Sequence, residues 1–531
     1  MRLALFALVT GVATLAASAC NCQKRYTPGP PPTGPDGPAA TPRTTAPAEL
    51  PPVMTECAHK GSGKDFAVGP GKPFATLGDV PFESLKAGDT VRLHWRPEPY
   101  REKVMLGGVG TAEQPIRFCG VPGPKGELPV IDGENATTRP TLDFPFDGHQ
   151  VRGLVIVGHK HADPWLVTPA YIVVEGLEIR NASEGMPFTD KAGKAQVYSA
   201  PAAGVFVQRA VHLTIRGCRV TNNNNGLFIG TSGAEELTQN VLIEHNQIWG
   251  NGSLTSYYHH NVYNEASDVI YQYNWLGPPR GPKGGSGGNN VKERSAGVTI
   301  RYNWIEDGSH LLDIVDAQEA QHTTRAMPSF HRTLVYGNVM VRTAPSGSIV
   351  HYGGDSGIFE NYRKGTLVFA HNTVVVRNDD HPAWQATEVI ELSTNEEQLE
   401  ARNNVVFTTI AAVDDHPVYL LGDRDRVVAG IATLAGNWLS KGITLHAAAG
   451  RNEVRAKAQG FEASVFGTVS PFVDVGAGDF RPAPASPLVA AGSPLPAGLL
   501  PEGALARQYK KHQLGEARAD AGRPAIGALA P

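Results

Sequence analysis

The chain has 531 residues, of which 41% are hydrophobic, and it carries 59 glycines and 41 prolines. This length allows several small domains or one large elongated one, and the glycine and proline content indicates many turns. Lys plus Arg number 47 against 51 for Asp plus Glu, a net charge near −4. Because a nucleic-acid binder usually shows a basic excess, this balance argues against a nucleic-acid partner. It leaves open a local basic groove for an acidic substrate.

Residues 1–19 are predicted to be a secretory signal peptide. A basic residue at position 2 precedes an apolar run that is too short to span a bilayer, and small residues follow it. Ala17-Ser18-Ala19-Cys20 resembles a bacterial lipoprotein lipobox, with Ala17 where Leu is usual. The resemblance implies cleavage before Cys20, lipidation of its sulfur and an anchor in the cell envelope, at the outer membrane or the cell surface. Plain secretion is the alternative.

Residues 20–54 are rich in Pro, Gly, Thr and Ala, a composition typical of a stiff, extended tether. Beyond the tether, an exported chain permits disulfides. Cys57–Cys119 is one possible pair, but the spacing does not settle the pairing among Cys57, Cys119 and Cys218. No Cys/His spacing in the chain suggests zinc.

A short pattern recurs along the chain: an apolar residue, two residues, Asn, one residue and an apolar residue. Successive copies lie 28 to 35 residues apart, and no amphipathic helical run separates them. This period and the short alternating strands favour a β-solenoid, in which stacked coils lie about 4.8 Å apart. The repeated Asn can then form an internal ladder, and Cys218, Leu177 and Leu154 are predicted to take its place upstream. The Asn positions are Asn246, Asn274, Asn303, Asn338, Asn372, Asn404 and Asn437.

This repeat, together with PFESLKAGDTVRLHWRPEPYREKVML (81–106) and PVIDGENA (129–136), resembles the right-handed parallel β-helix proteins of the pectate-lyase superfamily. The resemblance covers roughly residues 60 to 500. It implies an all-β, single-stranded right-handed parallel β-helix of ten or more coils over residues 55–475. DFRPAPASPLVAAGSP (479–494) resembles the closing segment of secreted β-helices, so residues 476–531 are expected to close the helix. The fold serves several chemistries, so the function must come from the site.

A second strand can be stacked before each Asn-bearing strand. The pieces HNVYNE, NNVKER, HLLDIV, SIVHYG and EVIELS align on an inward apolar residue: Val262, Val291, Leu312, Val350 and Ile390. Alternation then directs the next residue of each strand outward. This predicts one outward column of acid–base-capable side chains, with Glu265 and Arg294 two residues further along the same face. The alternative is a solvated ladder with scattered charges. The predicted column is Tyr263, Lys292, Asp313, His351 and Glu391.

Such a column fits β-elimination of a uronic acid polymer. Arg294 could hold the substrate carboxylate and neutralise the charge that develops there. Lys292 could act as the base if Arg294 lowers its pKa, although Asp313 would act in the opposite direction. Tyr263 or His351 could protonate the leaving oxygen, and the roles of Lys292 and Tyr263 are interchangeable at this stage.

The stretch also resembles β-helix proteins that carry an H-N-x-Y strand, then K-x-R-S and L-D, which are mostly described as polysaccharide-degrading. Many pectate-lyase relatives use Ca²⁺, and Asp313 and Asp316 are the candidate ligands here. His260 is as compatible with a structural role as with a catalytic one. Trp275 and Trp304 are candidate sugar platforms or stacked surface aromatics. The substrate-binding candidates are His260, Glu265, Glu391, Arg280 and Lys283.

Three other functions use the same groove. Glycoside hydrolysis could use Asp313 and Glu391 as a carboxylate pair about two coils apart. A non-catalytic surface lipoprotein could bind polysaccharide there, and C5 epimerisation needs nearly the same residues as the lyase. We expect a monomer that acts on an extracellular acidic polysaccharide, by β-elimination in the first instance.

Overall fold

The computed structural model describes residues 56–144, 146–233, 237–281, 287–343, 347–377, 387–409, 417–422, 430–446, 457–520 and 522–531. The predicted signal peptide, the lipidation site Cys20 and the predicted tether, residues 20–54, lie outside the described residues. Short strands wind in successive coils around one apolar core and form three long parallel sheets. The predicted all-β right-handed parallel β-helix is confirmed. Among the described residues, no helix combines the length and apolarity needed to cross a membrane.

A complete coil contributes one strand to each sheet, in the chain order sheet B, sheet A, sheet C, and coils at the ends lack some of these strands. Sheet A has thirteen strands: Asp65–Val68, Thr90–His94, Ile116–Val121, Ala170–Glu175, Val211–Arg216, Gln239–Glu244, Ser267–Gln272, Ala296–Arg301, Arg332–Tyr336, Thr366–Ala370, Gln398–Arg402, Ile431–Ala435 and Lys457–Gln459. Sheet B has ten: Val104–Leu106, Gly153–Val157, Ala203–Val207, Asn225–Ile229, Val262–Asn264, Val291–Glu293, Leu312–Ile314, Val350–Tyr352, Thr387–Leu392 and Val418–Gly422. Sheet C has eleven: Val130–Asp132, Glu178–Arg180, Arg219–Thr221, Gln247–Trp249, Trp275–Leu276, Trp304–Glu306, Val339–Arg342, Thr373–Val376, Val405–Thr408, Trp438–Ser440 and Val465–Gly467.

The remaining elements lie outside the three sheets. Short pairings join Ala136–Thr137, Pro187–Thr189 and Ala195–Val197, then Phe472–Asp474 with Asp479–Pro482, and Arg507–Lys510 with Leu514–Ala517. The described α-helix is Gln321–Ala326. The 3-10 turns are Leu77–Asp79, Phe82–Ser84, Asp147–His149, Pro328–His331, Phe359–Asn361 and Phe461–Ala463.

The predicted Asn ladder stands at the turn between sheets A and C. The amide oxygen of Asn303 accepts from the backbone N–H of Asn274 at 3.0 Å and from its side chain at 2.9 Å, and the pattern repeats from Asn246 to Asn437. The residue before each ladder Asn has a positive φ, as at Tyr273 and Tyr302, which makes the turn sharp. Cys218 occupies the ladder position one coil before Asn246. Desolvation raises the pKa of its buried thiol to about 12. Leu177 also fits the series, but Leu154 does not, because it lies within a strand of sheet B.

A second Asn ladder, which the sequence analysis missed, stands at the turn between sheets C and B. Asn223 donates to Asn251, Asn251 to Asn261, and Asn261 to Asn290, each at 3.0 Å. All four side chains are buried. They satisfy turn carbonyls that would otherwise lack partners in the core. The ladder therefore fixes the start of each neighbouring strand of sheet B.

The C-terminal segment folds back along the outer side of sheet C. Trp304 stacks on Phe480, with 5.3 Å between ring centroids, and Tyr509 packs nearby. Trp275 and Trp304 are consequently buried. The two tryptophans are therefore neither sugar platforms nor surface aromatics, because distant residues of the same chain cover them.

The first coils are closed by a disulfide between Cys57 and Cys119, whose Cα atoms lie 5.5 Å apart. Cys218 is free and buried. Arg117, two residues before Cys119, donates to the backbone carbonyl of Ala58 at 2.6 Å. The segment around Cys57 and Ala58 is thus attached to sheet A both by the disulfide and through hydrogen bonds.

Opening this disulfide should destabilise the fold. The bond closes a loop with a sequence separation of 62 residues, so Cys57→Ala is expected to lower the free energy of unfolding by about 2–4 kcal/mol. Urea unfolding followed by circular dichroism measures the change. Reductant should lower the midpoint of the wild-type protein and leave that of Cys57→Ala unchanged. An equal response of both proteins would contradict the prediction.

Candidate functional site

The outward column of sheet B has the predicted register. Tyr263 pairs with Lys292, Lys292 with Asp313, Asp313 with His351, and His351 with Glu391. The inward partners, such as Val262 and Val291, are fully buried. The insertion that the spacing requires after Asp313 contains the helix Gln321–Ala326 and the turn Pro328–His331. The column is therefore continuous, and Phe228 extends it by one coil beyond Tyr263.

Lys292 is an ammonium between two carboxylates. Its Nζ donates to Asp313 and to Asp355, and only 6% of the residue is exposed. Burial by itself lowers the pKa of Lys292, but the two carboxylates outweigh burial and the nearby Arg294, so the pKa is raised. Arg294 does act to lower this pKa, but the opposing effect of Asp313 and Asp355 is larger, so the net shift is upward. Lys292 is protonated at neutral pH.

Arg294 lies on the same strand face as Lys292 and shares one of its partners. Its Nη2 lies 3.2 Å from Asp355, and its Nη1 donates to the backbone carbonyl of Asp316 at 2.5 Å. The guanidinium also lies over the ring of Tyr263, 5.9 Å from the centroid. Arg294 is thus fixed beside Lys292, and both cations bind the carboxylate of Asp355.

Asp355 is the site residue that the sequence analysis missed. It follows strand Val350–Tyr352 after two glycines, and its backbone N–H donates to Asp316 at 2.8 Å. Lys292 and Arg294 hold the pKa of Asp355 well below its usual range despite burial. Its side chain is 26% exposed, against 7% for Lys292 and 6% for Arg294. Asp355 therefore covers the two cations on the solvent side.

Asp313 and His351 form a second hydrogen-bonded pair one coil further along. His351 Nδ1 lies 2.8 Å from Asp313, and its Nε2 lies 2.8 Å from the hydroxyl of Ser393. Burial lowers the pKa of His351, but Glu391 and Asp313 outweigh it and hold the pKa at about 9. Burial by itself raises the pKa of Asp313. Lys292 and His351 outweigh burial, and they keep the pKa of Asp313 well below its usual value. At neutral pH this part of the column therefore holds an imidazolium beside a carboxylate.

The charge of His351 should make stability depend on pH. A raised pKa means that the contribution is complete below about 6.5 and is lost as the pH rises through about 9. The free energy of unfolding is expected to fall by at most about 3 kcal/mol over this interval. Asp313, Glu391, Lys292 and His310 are the charged or titratable groups that face the ring. Urea midpoints at a series of pH values should lose this slope in His351→Gln; an unchanged slope would contradict the assignment.

Tyr263 lies next to Lys292 with a hydroxyl that no described residue hydrogen-bonds. Its ring stacks on Phe228, with 4.5 Å between centroids, and 9% of the residue is exposed. Burial raises the pKa of the phenol well above its ordinary value, although Arg294 acts in the opposite direction. The phenol is therefore protonated and has its donor available.

Two of the predicted substrate-binding residues, His260 and Glu265, accept hydrogen bonds from backbone N–H groups of the protein. His260 is buried, and its Nδ1 accepts from the backbone N–H of Asn289 at 3.0 Å; desolvation lowers its pKa to about 3. Glu265 accepts three backbone N–H groups, those of residues 318, 319 and 320, just before the helix Gln321–Ala326. Glu265 thus orders the insertion behind Arg294, and His260 is a neutral neighbour of the column.

Arg280 does not overhang the column. It donates to the backbone carbonyl of Gly252 at 2.7 Å and to the hydroxyl of Ser183 at 3.0 Å, and it bonds to Asn222. These partners belong to the turn between sheets C and B. The prediction that Arg280 holds substrate is replaced by a structural role. Lys283 lies outside the described residues.

The proposed calcium ligands do not fit a calcium ion. Ca²⁺ takes roughly six to eight oxygen ligands, whereas the oxygens of Asp313 accept from Lys292, Asn289 and His351. Asp316 accepts the N–H of Asp355 and lies 3.8 Å from Arg294. Two fixed cations thus take the place of a metal beside these carboxylates. His310, Asp313 and His351 offer ligand atoms within 4.8 Å of one another, but both nitrogens of His351 already have partners.

No protein-family model matches the sequence, and no curated protein matches it. Several solved structures are similar. The alginate lyase from Paenibacillus sp. str. FPU-7 is 11% identical, with a TM-score of 0.39 over 71% of this chain and 94% of that chain. Pectate lyase Pel9A is 10% identical, with a TM-score of 0.38 over 89% of this chain and 98% of that chain. The GH136 lacto-N-biosidase from Eubacterium ramulus is 11% identical, with a TM-score of 0.42 over 76% of this chain and 68% of that chain. At these identities the likeness concerns the fold alone.

Proposed function

We propose that this protein is an exported polysaccharide-degrading enzyme that cleaves a uronic-acid-containing chain by β-elimination. One observation carries the proposal: Lys292 and Arg294 hold the carboxylate of Asp355 beside Tyr263, whose hydroxyl has no hydrogen-bond partner among the described residues. A uronate carboxylate that replaced Asp355 would meet the same two cations. The disulfide Cys57–Cys119 supports export, because such bonds persist in oxidising compartments. A lipid anchor at Cys20 belongs to the proposal as well.

The reaction needs three groups around one sugar. Arg294 neutralises the sugar carboxylate, which makes the neighbouring C5–H acidic. A base takes the C5 proton, the C4–O bond breaks with its electrons, a C4=C5 double bond forms, and an acid protonates the departing oxygen. Lys292 and Tyr263 are adjacent in the column and supply the base and the acid. His351 is less suited to the acid role, because both of its ring nitrogens are already engaged.

In the ligand-free protein neither candidate base, Lys292 or Tyr263, is deprotonated. Lys292 and Tyr263 both carry their protons at neutral pH, so one of them must lose its proton before it can act as the base. We assign the base to Lys292, which keeps one carboxylate partner, Asp313, instead of two when substrate displaces Asp355 and Arg294 neutralises the sugar carboxylate. The rate should therefore rise towards alkaline pH. Tyr263 then donates its proton to the leaving oxygen.

Hydrolysis by Asp313 and Glu391 is the alternative. It requires one carboxyl group that stays protonated as the acid. The pKa of Asp313 is well below its usual value because of Lys292 and His351, and its oxygens accept three hydrogen bonds. Asp313 is therefore a poor acid, and the β-elimination proposal explains the Lys292–Arg294 pair, which hydrolysis leaves unused.

The test is an assay of the purified protein on alginate, polygalacturonate and other uronic acid polymers. Ultraviolet absorbance of the unsaturated product and the number of new reducing ends are followed together, with Ca²⁺ and with a chelator. Both signals should rise together. New reducing ends without absorbance would overturn the lyase in favour of the hydrolase, and tight binding without either signal would support the non-catalytic lipoprotein. A change in uronate epimer content without cleavage would indicate C5 epimerisation.

A further inference from the structure

Arg152 is a further cation on the outward face of sheet B, beside Lys292 and Arg294, and no described residue pairs with it. It directly precedes strand Gly153–Val157 and is half-buried. Its guanidinium lies 4.5 Å from the ring centroid of Phe206 and 5.2 Å from that of Phe228. Its Nε is buried with no hydrogen-bond partner. Among the described residues, nothing forms a hydrogen bond or an ion pair with this side chain.

An arginine in this state is unusual, because the guanidinium has five N–H donors and a half-buried one is normally paired. The other cations of the column illustrate the contrast, since Lys292 and Arg294 each bind carboxylate oxygens. Glu319 acts electrostatically on Arg152, but the two side chains form no ion pair. Glu319 accepts the backbone N–H of Thr231 at 2.9 Å, and burial together with Glu265 raises its pKa to about 7. Arg152 therefore retains charge and donors for a ligand.

The position of Arg152 relates it to the site. Phe206, Phe228, Tyr263 and Lys292 occupy successive coils of one column. Arg152 contacts the first two of these rings, and Arg294 covers the third. Phe228 and Lys292 are two coils apart, which corresponds to roughly 10 Å along the helix axis. A second carboxylate bound there would lie on the N-terminal side of the first, with the aromatic rings between them.

We infer that Arg152 forms a second carboxylate-binding subsite, and that the substrate is a chain with at least two acidic sugars that lies along the helix axis. The inference rests on the proposed function for the identity of the first subsite. It narrows the substrate to chains in which acidic sugars recur at short intervals. A chain with one isolated uronate would use only the Lys292–Arg294 end of the groove.

The experiment compares Arg152→Gln and Arg152→Lys with the wild-type protein on whichever uronic acid polymer gives unsaturated product. Arg152→Gln should raise KM roughly 10- to 100-fold, because charge-assisted hydrogen bonds are lost, and should leave kcat within about twofold. Arg152→Lys should recover part of the loss. Arg96→Gln is the matched control, since Arg96 also lies over an aromatic ring, that of Tyr100 at 3.8 Å, but donates to backbone carbonyls away from the column.

Lys292→Met tests the lyase reaction, and Arg152→Gln tests the second subsite, so the two proposals can fail separately. If Lys292→Met abolishes product but Arg152→Gln leaves KM unchanged, the second subsite is wrong and the lyase stands. If no polymer yields product, calorimetric titration with sodium alginate and with polygalacturonate replaces the assay. Weaker binding by Arg152→Gln than by Arg96→Gln would then support the subsite without the lyase. Equal binding by both variants, or no binding by the wild-type protein, would overturn it.

Discussion

Lys292→Met is expected to lower the rate of unsaturated-product formation by roughly 10²- to 10⁴-fold, the contribution of a positioned acid or base. Methionine keeps an unbranched side chain, one heavy atom shorter than that of lysine, and removes the proton-transfer group. The substitution also leaves the carboxylates of Asp313 and Asp355 without their shared ammonium, which costs roughly 3–5 kcal/mol for a buried pair. The rate must therefore be measured on protein whose folded fraction is known from its thermal transition.

The double variant Lys292→Met/Asp355→Asn provides a matched control for charge. It removes one cation and one anion together, so the column keeps its net charge and should recover part of the lost stability. Its rate should remain as low as that of Lys292→Met. If the double variant regained activity, Lys292 would be a structural cation, and the assignment of the base would be wrong.

Asp355→Asn alone separates the two roles that Lys292 can play. Removing this anion lowers the pKa of Lys292, because a carboxylate in contact with the ammonium favours its protonated form. A base acts in its deprotonated form, so the acidic limb of the rate profile should move to lower pH. If Lys292 were the acid, the alkaline limb would move to lower pH instead. A profile that does not move would exclude Lys292 from proton transfer.

The second large effect concerns the Asn ladder. Asn303→Leu is expected to lower the free energy of unfolding by roughly 3–5 kcal/mol, because it leaves several buried polar groups unpaired at once. The Asn303 side chain accepts from the backbone N–H of Asn274 and donates to the backbone carbonyls of Tyr271 and Arg301 at 3.0 and 2.9 Å. It also donates to Asn338 at 3.0 Å. Leucine has a similar volume but can replace none of these bonds.

Cys218→Asn tests the same ladder in the opposite direction. Cys218 already donates its backbone N–H to Asn246 at 3.0 Å. Its thiol makes only weak contacts, with the carbonyls of Arg216 at 3.4 Å and Val174 at 3.7 Å. An amide in this position would extend the ladder by one coil. The urea midpoint of Cys218→Asn should therefore equal or exceed that of the wild-type protein, whereas Asn303→Leu should lower it. Similar losses in both variants would indicate that packing, not the ladder, determines the cost.

The sequence by itself was sufficient for the fold class, the Asn ladder and the outward column. These features depend on local periodicity: alternation fixes which side of a strand is buried, and the recurring Asn fixes the register of one coil on the next. Val262 and Val291 therefore predicted the pairing of Tyr263 with Lys292 correctly, and the column continued through Asp313 despite the insertion after it.

The tertiary structure alone decided the chemistry of the column. The pKa of Lys292 depends on Asp355, which lies 63 residues away in the chain and belongs to no repeat. Trp304 is buried because the C-terminal segment returns across sheet C to place Phe480 on it. Charge states and burial follow from distances in space between segments that are remote in sequence, and periodicity carries no information about those distances.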